Sequence, residues 1–279
     1  MKRIGAIVFT AAAVAAVVLL LLNCAKKPKV QEPLLCYVGG TMRPAMEELK
    51  KTYEAKSGKK IEFNQGESGT LIAQIGETHK GDLYVCHDPF QAGLKNKGFE
   101  AASWVMASVR PVIVVPKGNP KKIAGLKDLG QKGMRVILTH PEYSTLGHMV
   151  PLMAKKADAW DAIKANVVSE TRSGGEAANA VALGTADASL VWNAVAFLRM
   201  DKLDTVSISP DFQLQRGVDA VTTATFGALD MGNIRVSIST LSCSKQPEDA
   251  KAFAEFAASA EAQPVWEKYG FSPAQQPDK

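Results

Sequence analysis

Short apolar runs rich in β-branched and aromatic residues alternate along this chain with stretches of helical period, and that alternation confines it to α/β architecture. Leu34 to Val38 reads as a strand and Glu47 to Ala55 as a helix. Lys60 to Asn64 and Asp82 to Cys86 read as strands, with a helix starting at Thr70 between them. Pro89 to Lys97 reads as a helix stopped by Gly98. Val112 to Pro116, Arg135 to Thr139, Ala188 to Trp192 and Ile234 to Leu241 are further β-rich runs, and Glu176 to Leu183 is a helix ending at Gly184. Pro247 to Tyr269 has helical period, with Ala250, Phe253 and Phe256 on one face. These last helices have no strand of their own and are expected to pack back on the first lobe. Residues 34–111 with 232–279 then form lobe I, and 112–231 an inserted lobe II. The β-rich runs near Arg110 to Val115 and Asn233 to Ile238 would carry the chain between the lobes as hinge strands. One continuous sheet is the alternative that periodicity leaves open.

Four polar corners, each joining a strand end to a helix start, carry the chemistry. They are Gly39-Gly40-Thr41, Glu67-Ser68-Gly69-Thr70, Tyr143-Ser144-Thr145-Leu146-Gly147 and Ser173-Gly174-Gly175-Glu176. In open α/β sheets ligands bind beyond the carboxyl ends of strands, where such corners converge. Ser173 with Glu176 three residues on is a capping box that marks a helix N-terminus. Its first-turn N–H groups and positive dipole end favour an anion, and Gly174 and Gly175 let an oxyanion approach the backbone. Thr41 and Ser68 add hydroxyl donors from the other lobe. A single Ser or Thr before a helix is usually only a cap; four corners in one strand-to-helix phase point to a shared site. Pro151, six residues after Thr145, implies a kink in the third of these helices or a later start.

Lys2 and Arg3 precede an apolar run from Ile4 to Leu22 that ends at Asn23-Cys24. A basic start, an apolar core and a terminal Cys read as a lipoprotein-type export signal over 1–23, with Cys24 as the acylated residue and 24–33 as a polar tether. An uncleaved membrane anchor is the alternative, because the run approaches transmembrane length. Both readings hold the globular part at a membrane, and the lipoprotein reading puts it on the periplasmic or extracellular face. Of the remaining cysteines, Cys36 and Cys86 fall in strands, where Cys serves as a small apolar residue. They and Cys243 make an odd number, and no disulfide is expected.

The formal net charge is +5; without Lys2 and Arg3, the remaining 31 basic residues exceed 28 acidic ones by only 3. With no Lys/Arg-rich run interleaved with aromatics, a nucleic-acid partner is excluded as a leading reading. No Ser-His-Asp pattern, G-x-S-x-G elbow, phosphate loop or metal-ligand helix is present, so no catalytic residue, resident cofactor or protein-ligated metal is expected. Cys86 and His87 are adjacent on a strand and point to opposite faces, which disfavours a soft metal site. Arg43 and Arg172 flank the first and fourth corners, where they either deepen the positive potential or sit in solvent.

The order and spacing of several segments resemble the molybdate/tungstate-binding proteins of ABC importers, within the type II periplasmic-binding fold. They are Glu67-Ser68-Gly69-Thr70-Leu71, Gly81-Asp82-Leu83-Tyr84-Val85 followed by His87-Asp88, Leu126-Lys127-Asp128-Leu129, and Gly184-Thr185-Ala186-Asp187-Ala188. The ending Ala250 to Phe256 with Lys268-Tyr269-Gly270-Phe271 belongs with them. The resemblance implies two α/β lobes joined by two hinge strands, closing on a tetrahedral oxyanion held by neutral donors. It places the donors at Thr41, Ser68, the amides of Leu146 and Gly174, and Trp192. Around them stand Gly40, Gly69, Thr145, Gly175, Arg43 and His87 as secondary candidates. Where the family has a Tyr hydroxyl, Trp192 offers an indole N–H. Either the indole reaches the anion or the pocket is larger and suits another solute. The implied partners are a small inorganic anion, molybdate or tungstate first, an importer permease, and the membrane through a lipid anchor; a monomer is expected. The other readings are a different anion or metal complex in the same fold, or a ligand sensor for a membrane partner. Donors without charge of their own imply binding that is nearly independent of pH around neutrality.

Overall fold

The strand Leu34–Gly39 (β1) is apolar at nearly every position and buried almost throughout, the signature of a parallel strand covered on both faces. The computed structural model that contains it describes residues 32–223, 227–232 and 234–274. The Ile4 to Leu22 run, Cys24 and most of the tether lie outside the described residues. From β1 the chain makes a one-turn 3₁₀ helix, Gly40–Met42, and enters the helix Arg43–Ser57 (α1). Ile61–Gly66 (β2), Ser68–Thr78 (α2), Leu83–His87 (β3) and Phe90–Asn96 (α3) follow. Then come Glu100–Ser108 (β4) and Pro111–Pro116 (β5). The second half of the alternation is Val136–Thr139 (β6), Thr145–Lys156 (α4), Trp160–Ala165 (α5), Val167–Thr171 (β7), Gly174–Ala182 (α6), Ala188–Trp192 (β8) and Asn193–Phe197 (α7). Leu203–Val206 (β9), the hairpin Ala220–Thr223 (β10) and Gly227–Asp230 (β11), Arg235–Leu241 (β12), Pro247–Ala257 (α8), Gln263–Lys268 (α9) and Ser272–Pro273 (β13) complete the order.

Two sheets result. The first has strand order β13-β4-β12-β3-β1-β2, with β1, β2 and β3 mutually parallel and β12 antiparallel to both neighbours. The second has order β7-β6-β8-β5-β9, with β6, β7 and β8 parallel and β5 antiparallel to β8 and β9. The chain crosses from the first sheet to the second between β4 and β5, and returns just before β12. The two crossings are tied together where Val109 N–H donates to the Ile234 carbonyl at 3.0 Å. A further bond network spans the lobes at Asn193. Its Oδ1 accepts from Arg110 N–H at 2.9 Å, and its Nδ2 donates to the Gly270 carbonyl at 2.8 Å.

The segment from Pro247 to Tyr269 forms two helices rather than one, separated by a short turn. Both pack on the first sheet. Phe253 of α8 meets Tyr53 of α1 edge-on at 5.0 Å, and the fully buried Trp266 of α9 donates its indole N–H to the Ala257 carbonyl at 3.1 Å. Helix α4 starts at Thr145 and runs through Pro151. It closes so tightly over the end of β6 that a β-carbon added at Gly147 would lie 2.5 Å from the Pro141 nitrogen and 2.6 Å from the Thr139 carbonyl oxygen. Cys36 and Cys86 are both free and buried, and they belong to the hydrophobic clusters on opposite faces of the first sheet. Burial pushes both thiols well above their ordinary pKa.

The Gly147 approach gives a direct check. G147A is expected to lower stability by about 1–3 kcal/mol through overpacking against rigid backbone. G125A, where an added β-carbon meets nothing within 4 Å, is expected to be near neutral. Urea unfolding should show the difference as a shifted midpoint with an unchanged slope.

Candidate functional site

The carboxyl ends of β1, β2 and β3 and those of β7 and β8 open onto one cavity of about 430 Å³. Its wall carries Thr41 and Gly40 from the first corner, Ser68 from the second, Tyr143 and Ser144 from the third, and Ser173, Gly174 and Gly175 from the fourth. Trp192 and His87, at the ends of β8 and β3, complete the floor. Of the sequence-predicted residues, Thr41, Ser68, Gly174 and Trp192 are thus brought together, along with Gly40, Gly175, Arg43 and His87. Leu146 and Thr145 are placed differently. Their side chains are buried beneath the third corner, and Tyr143 and Ser144 form the cavity wall there. Gly69 lies in the first turn of α2, behind Ser68, and is not part of the wall.

Each corner leaves backbone donors uncommitted, for the reason common to every helix start. In α2 the first helical bond is Leu71 N–H to the Glu67 carbonyl at 3.0 Å, so the amides of Ser68, Gly69 and Thr70 precede the ladder. In α6 the first is Ala177 N–H to the Ser173 carbonyl at 3.2 Å. Ser173 Oγ accepts from Glu176 N–H at 3.3 Å, while the Glu176 carboxylate reaches past Ser173 to accept from Arg172 N–H at 3.1 Å. The capping box is therefore displaced by one residue at its return bond, and among the described residues the Gly174 and Gly175 amides have no hydrogen-bond acceptor. In α4 the amides of Thr145 and Leu146 precede the first bond, Gly147 N–H to the Ser144 carbonyl at 3.0 Å.

Local packing holds the hydroxyls in place. A β-carbon at Gly39 would lie 2.9 Å from Ser68 Oγ, so only glycine lets the second corner come this close to the first. The buried Tyr84 donates its hydroxyl to the Ser68 carbonyl at 3.0 Å and fixes the start of α2 from below. The Ser68 and Thr41 hydroxyls make no hydrogen bond within the described residues.

Three arginines ring the cavity. Arg172 lies with its guanidinium 4.1 Å from the centre of the Tyr143 ring and its Nε 3.6 Å from Glu67 Oε1. That pair joins the fourth corner to the second across the cleft, although both side chains are partly solvated and the pair contributes at most about 1 kcal/mol. Arg199 was not found from sequence. It follows α7, donates Nε to Asn179 Oδ1 at 2.7 Å and Nη1 to the Val195 carbonyl at 3.2 Å, and extends toward Gly175. Partial burial lowers its pKa. The one available signal was that β8 also ends in a helix start, making a fifth corner. His87 packs edge-on against Trp192 at 5.1 Å and against Phe90 at 5.9 Å. Among the described residues no group of three or more His, Cys, Asp or Glu side chains is placed to hold a metal ion.

Residues 34–272 match the family model described as bacterial extracellular solute-binding protein. The chain belongs to that family. Its members bind solutes and are not enzymes. Among curated relatives, the molybdate-binding protein ModA of Mycobacterium tuberculosis is 27% identical over 164 residues, 57% of this chain and 60% of that protein. The chain thus spans less than two thirds of that relative's length. The "Putative ABC transporter substrate-binding lipoprotein YvgL" of Bacillus subtilis is 27% identical over 235 residues, 82% of each chain. Among solved structures, the periplasmic molybdate-binding protein of Azotobacter vinelandii aligns with a TM-score of 0.68 at 16% identity, covering 87% of this chain and 100% of that one. That likeness establishes the two-lobe α/β fold.

Trp192 is the natural reporter of this cavity. A solute entering it is expected to change tryptophan emission in the unmodified protein and in W104F, on β4, but not in W192F; fluorescence titration checks this.

Proposed function

We propose that the cleft captures a tetrahedral oxyanion, molybdate or tungstate first, and that the protein delivers it to the permease of an ABC importer. The observation that carries this reading is the convergence of Thr41, Ser68 and the Gly174–Gly175 amides, from two separate sheets, on one cavity. Anions are favoured where first-turn amides and hydroxyls point at them with no carboxylate competing. The one acidic side chain in the wall, Glu67, lies beside Arg172. Closure of the lobes about the Val109–Ile234 crossing would exchange the anion's water shell for fixed donors. The ModA relatives and the molybdate-binding structural neighbour support the choice of anion, and the YvgL relative supports the link to an ABC transporter and lipidation at Cys24. In this reading the protein works as a monomer tethered outside the cytoplasm.

A second reading is favoured by the cavity's size and cationic rim. At about 30 Å³ per water, 430 Å³ holds roughly fourteen waters, far more room than one oxyanion fills. Arg43, Arg172 and Arg199 would then meet further acidic groups of a larger organic anion whose phosphoryl or similar head occupies the corner donors.

Calorimetric titration with molybdate, tungstate, sulfate, phosphate and a sugar phosphate separates the two. Under the first reading molybdate and tungstate bind most tightly. S68A and T41A then each weaken them about 10- to 100-fold, the loss of one hydrogen bond to a charged group. T185A, whose hydroxyl donates to the Ala180 carbonyl in lobe II, is expected to leave affinity unchanged. Heat from the sugar phosphate alone would overturn the inorganic-oxyanion reading.

A further inference from the structure

Every donor considered so far is fixed in its protonation state near neutral pH, but His87 is not. It is nine-tenths buried at the end of β3, and it forms part of the cavity wall. Its Nδ1 lies 2.9 Å from the Asp88 carbonyl oxygen. A carbonyl only accepts, so Nδ1 must carry a hydrogen. In the neutral ring Nε2 then holds a lone pair, and no group among the described residues donates to it. A lone pair repels the oxygen of a fully deprotonated anion; an Nε2–H attracts it.

The charged groups around the ring decide when that proton arrives. On its own strand Asp88 is the nearest carboxylate, but it is paired with Arg235 of β12, whose Nε lies 3.1 Å away and whose backbone N–H lies 3.2 Å away. From α3 and β8 the ring meets only Phe90 and Trp192. Cys86 beside it is a neutral buried thiol. Across the cavity, α1 contributes Arg43, the β7–α6 corner Arg172, the segment after α7 Arg199, and the third corner Tyr143. The one other carboxylate, Glu67 at the start of α2, is beside Arg172. An imidazolium in the free protein therefore has burial against it, and Asp88, the one group that favours it, shares its carboxylate with Arg235. Burial lowers the His87 pKa below its ordinary value accordingly.

Resting on the oxyanion reading of this cavity, we propose that His87 is a specificity-determining residue that takes up one proton as a fully deprotonated dianion binds. The anion supplies the missing counter-charge, and Nε2–H becomes a charge-assisted donor to it. The sign follows from linkage. The His87 pKa is lowered in the free protein and raised in the complex, so affinity for the dianion is greatest at low pH. It declines, by up to about tenfold per pH unit, as pH rises from the free-state to the bound-state pKa. A site of purely neutral donors would show no such slope.

The test is calorimetry with molybdate between about pH 5.5 and 8.5, in pairs of buffers that differ in ionisation enthalpy, on the unmodified protein and on H87Q. The Gln amide donates without titrating. The expected result for the unmodified protein is net uptake approaching one proton per molybdate, with the affinity slope described above. H87Q is expected to bind with no uptake and a flat profile. Histidine-selective ¹⁵N NMR gives a reading independent of affinity: Nδ1–H with a bare Nε2 in the free protein, and both nitrogens protonated after molybdate is added. Molybdate binding without proton uptake, or equal uptake by H87Q, would overturn the coupling alone. No heat from molybdate or tungstate at any pH would overturn the oxyanion reading and the coupling with it.

Discussion

The amides that open a helix have no carbonyl a turn behind them, and a cleft built from such amides must find them an external acceptor or leave them to water. In this protein the parallel strands β1, β2 and β3 of one sheet and β6 and β7 of the other each run into a helix on the same side. The topology of both sheets is thus the means by which several orphan donor sets reach one hollow. Packing serves the same end. Gly39 makes room for Ser68, Tyr84 holds the Ser68 carbonyl from beneath, and Gly147 lets α4 close over β6. Each of these residues acts at a distance from any solute, by fixing where a donor points.

Charge is arranged by the same economy. Asp88 is paired with Arg235 and Glu67 lies beside Arg172, so the carboxylates nearest the cavity are neutralised by partners of their own. What remains in the wall is a surplus of guanidinium, hydroxyl and amide hydrogens. His87 stands apart because its nearest carboxylate is already taken.

The parallel strands β1, β2, β3, β6 and β8 and the four corners were legible because they depend on local sequence: β-branched and aromatic runs for the strands, and Gly, Ser and Thr at the turns. The strand β4 was not. Its first half opens on Glu100 and continues through the small, exposed Ala101, Ala102 and Ser103, with no strand signature of its own. It becomes a strand because β12, more than a hundred residues later in the chain, pairs with it. The short β9 was missed for the same reason, since its partner β5 lies far earlier in the chain; the β10–β11 hairpin was missed although its two strands are neighbours in sequence. Within the site, the Gly174–Gly175 corner was readable, yet the return arm of its cap bonds one residue earlier than the motif implies. Arg199 had only the indirect signal of a fifth corner after β8, since the folding of α7 against α6 is what carries it to the rim. For Leu146, the expected contribution is its amide, which precedes the first helical bond of α4, while its side chain packs in the lobe core and Tyr143 and Ser144 line the wall.

Cys36 and Cys86 sit on opposite sides of the first sheet, each sealed in hydrocarbon with its thiol held in the protonated form. Neither can reach the other without tearing β1 from β3, and neither offers a thiolate to an oxidant. A protein whose family works outside the cytoplasm has here kept these two thiols out of reach of the oxidising conditions found there. Among the described residues no disulfide joins the lobes, so no covalent strap there holds them together.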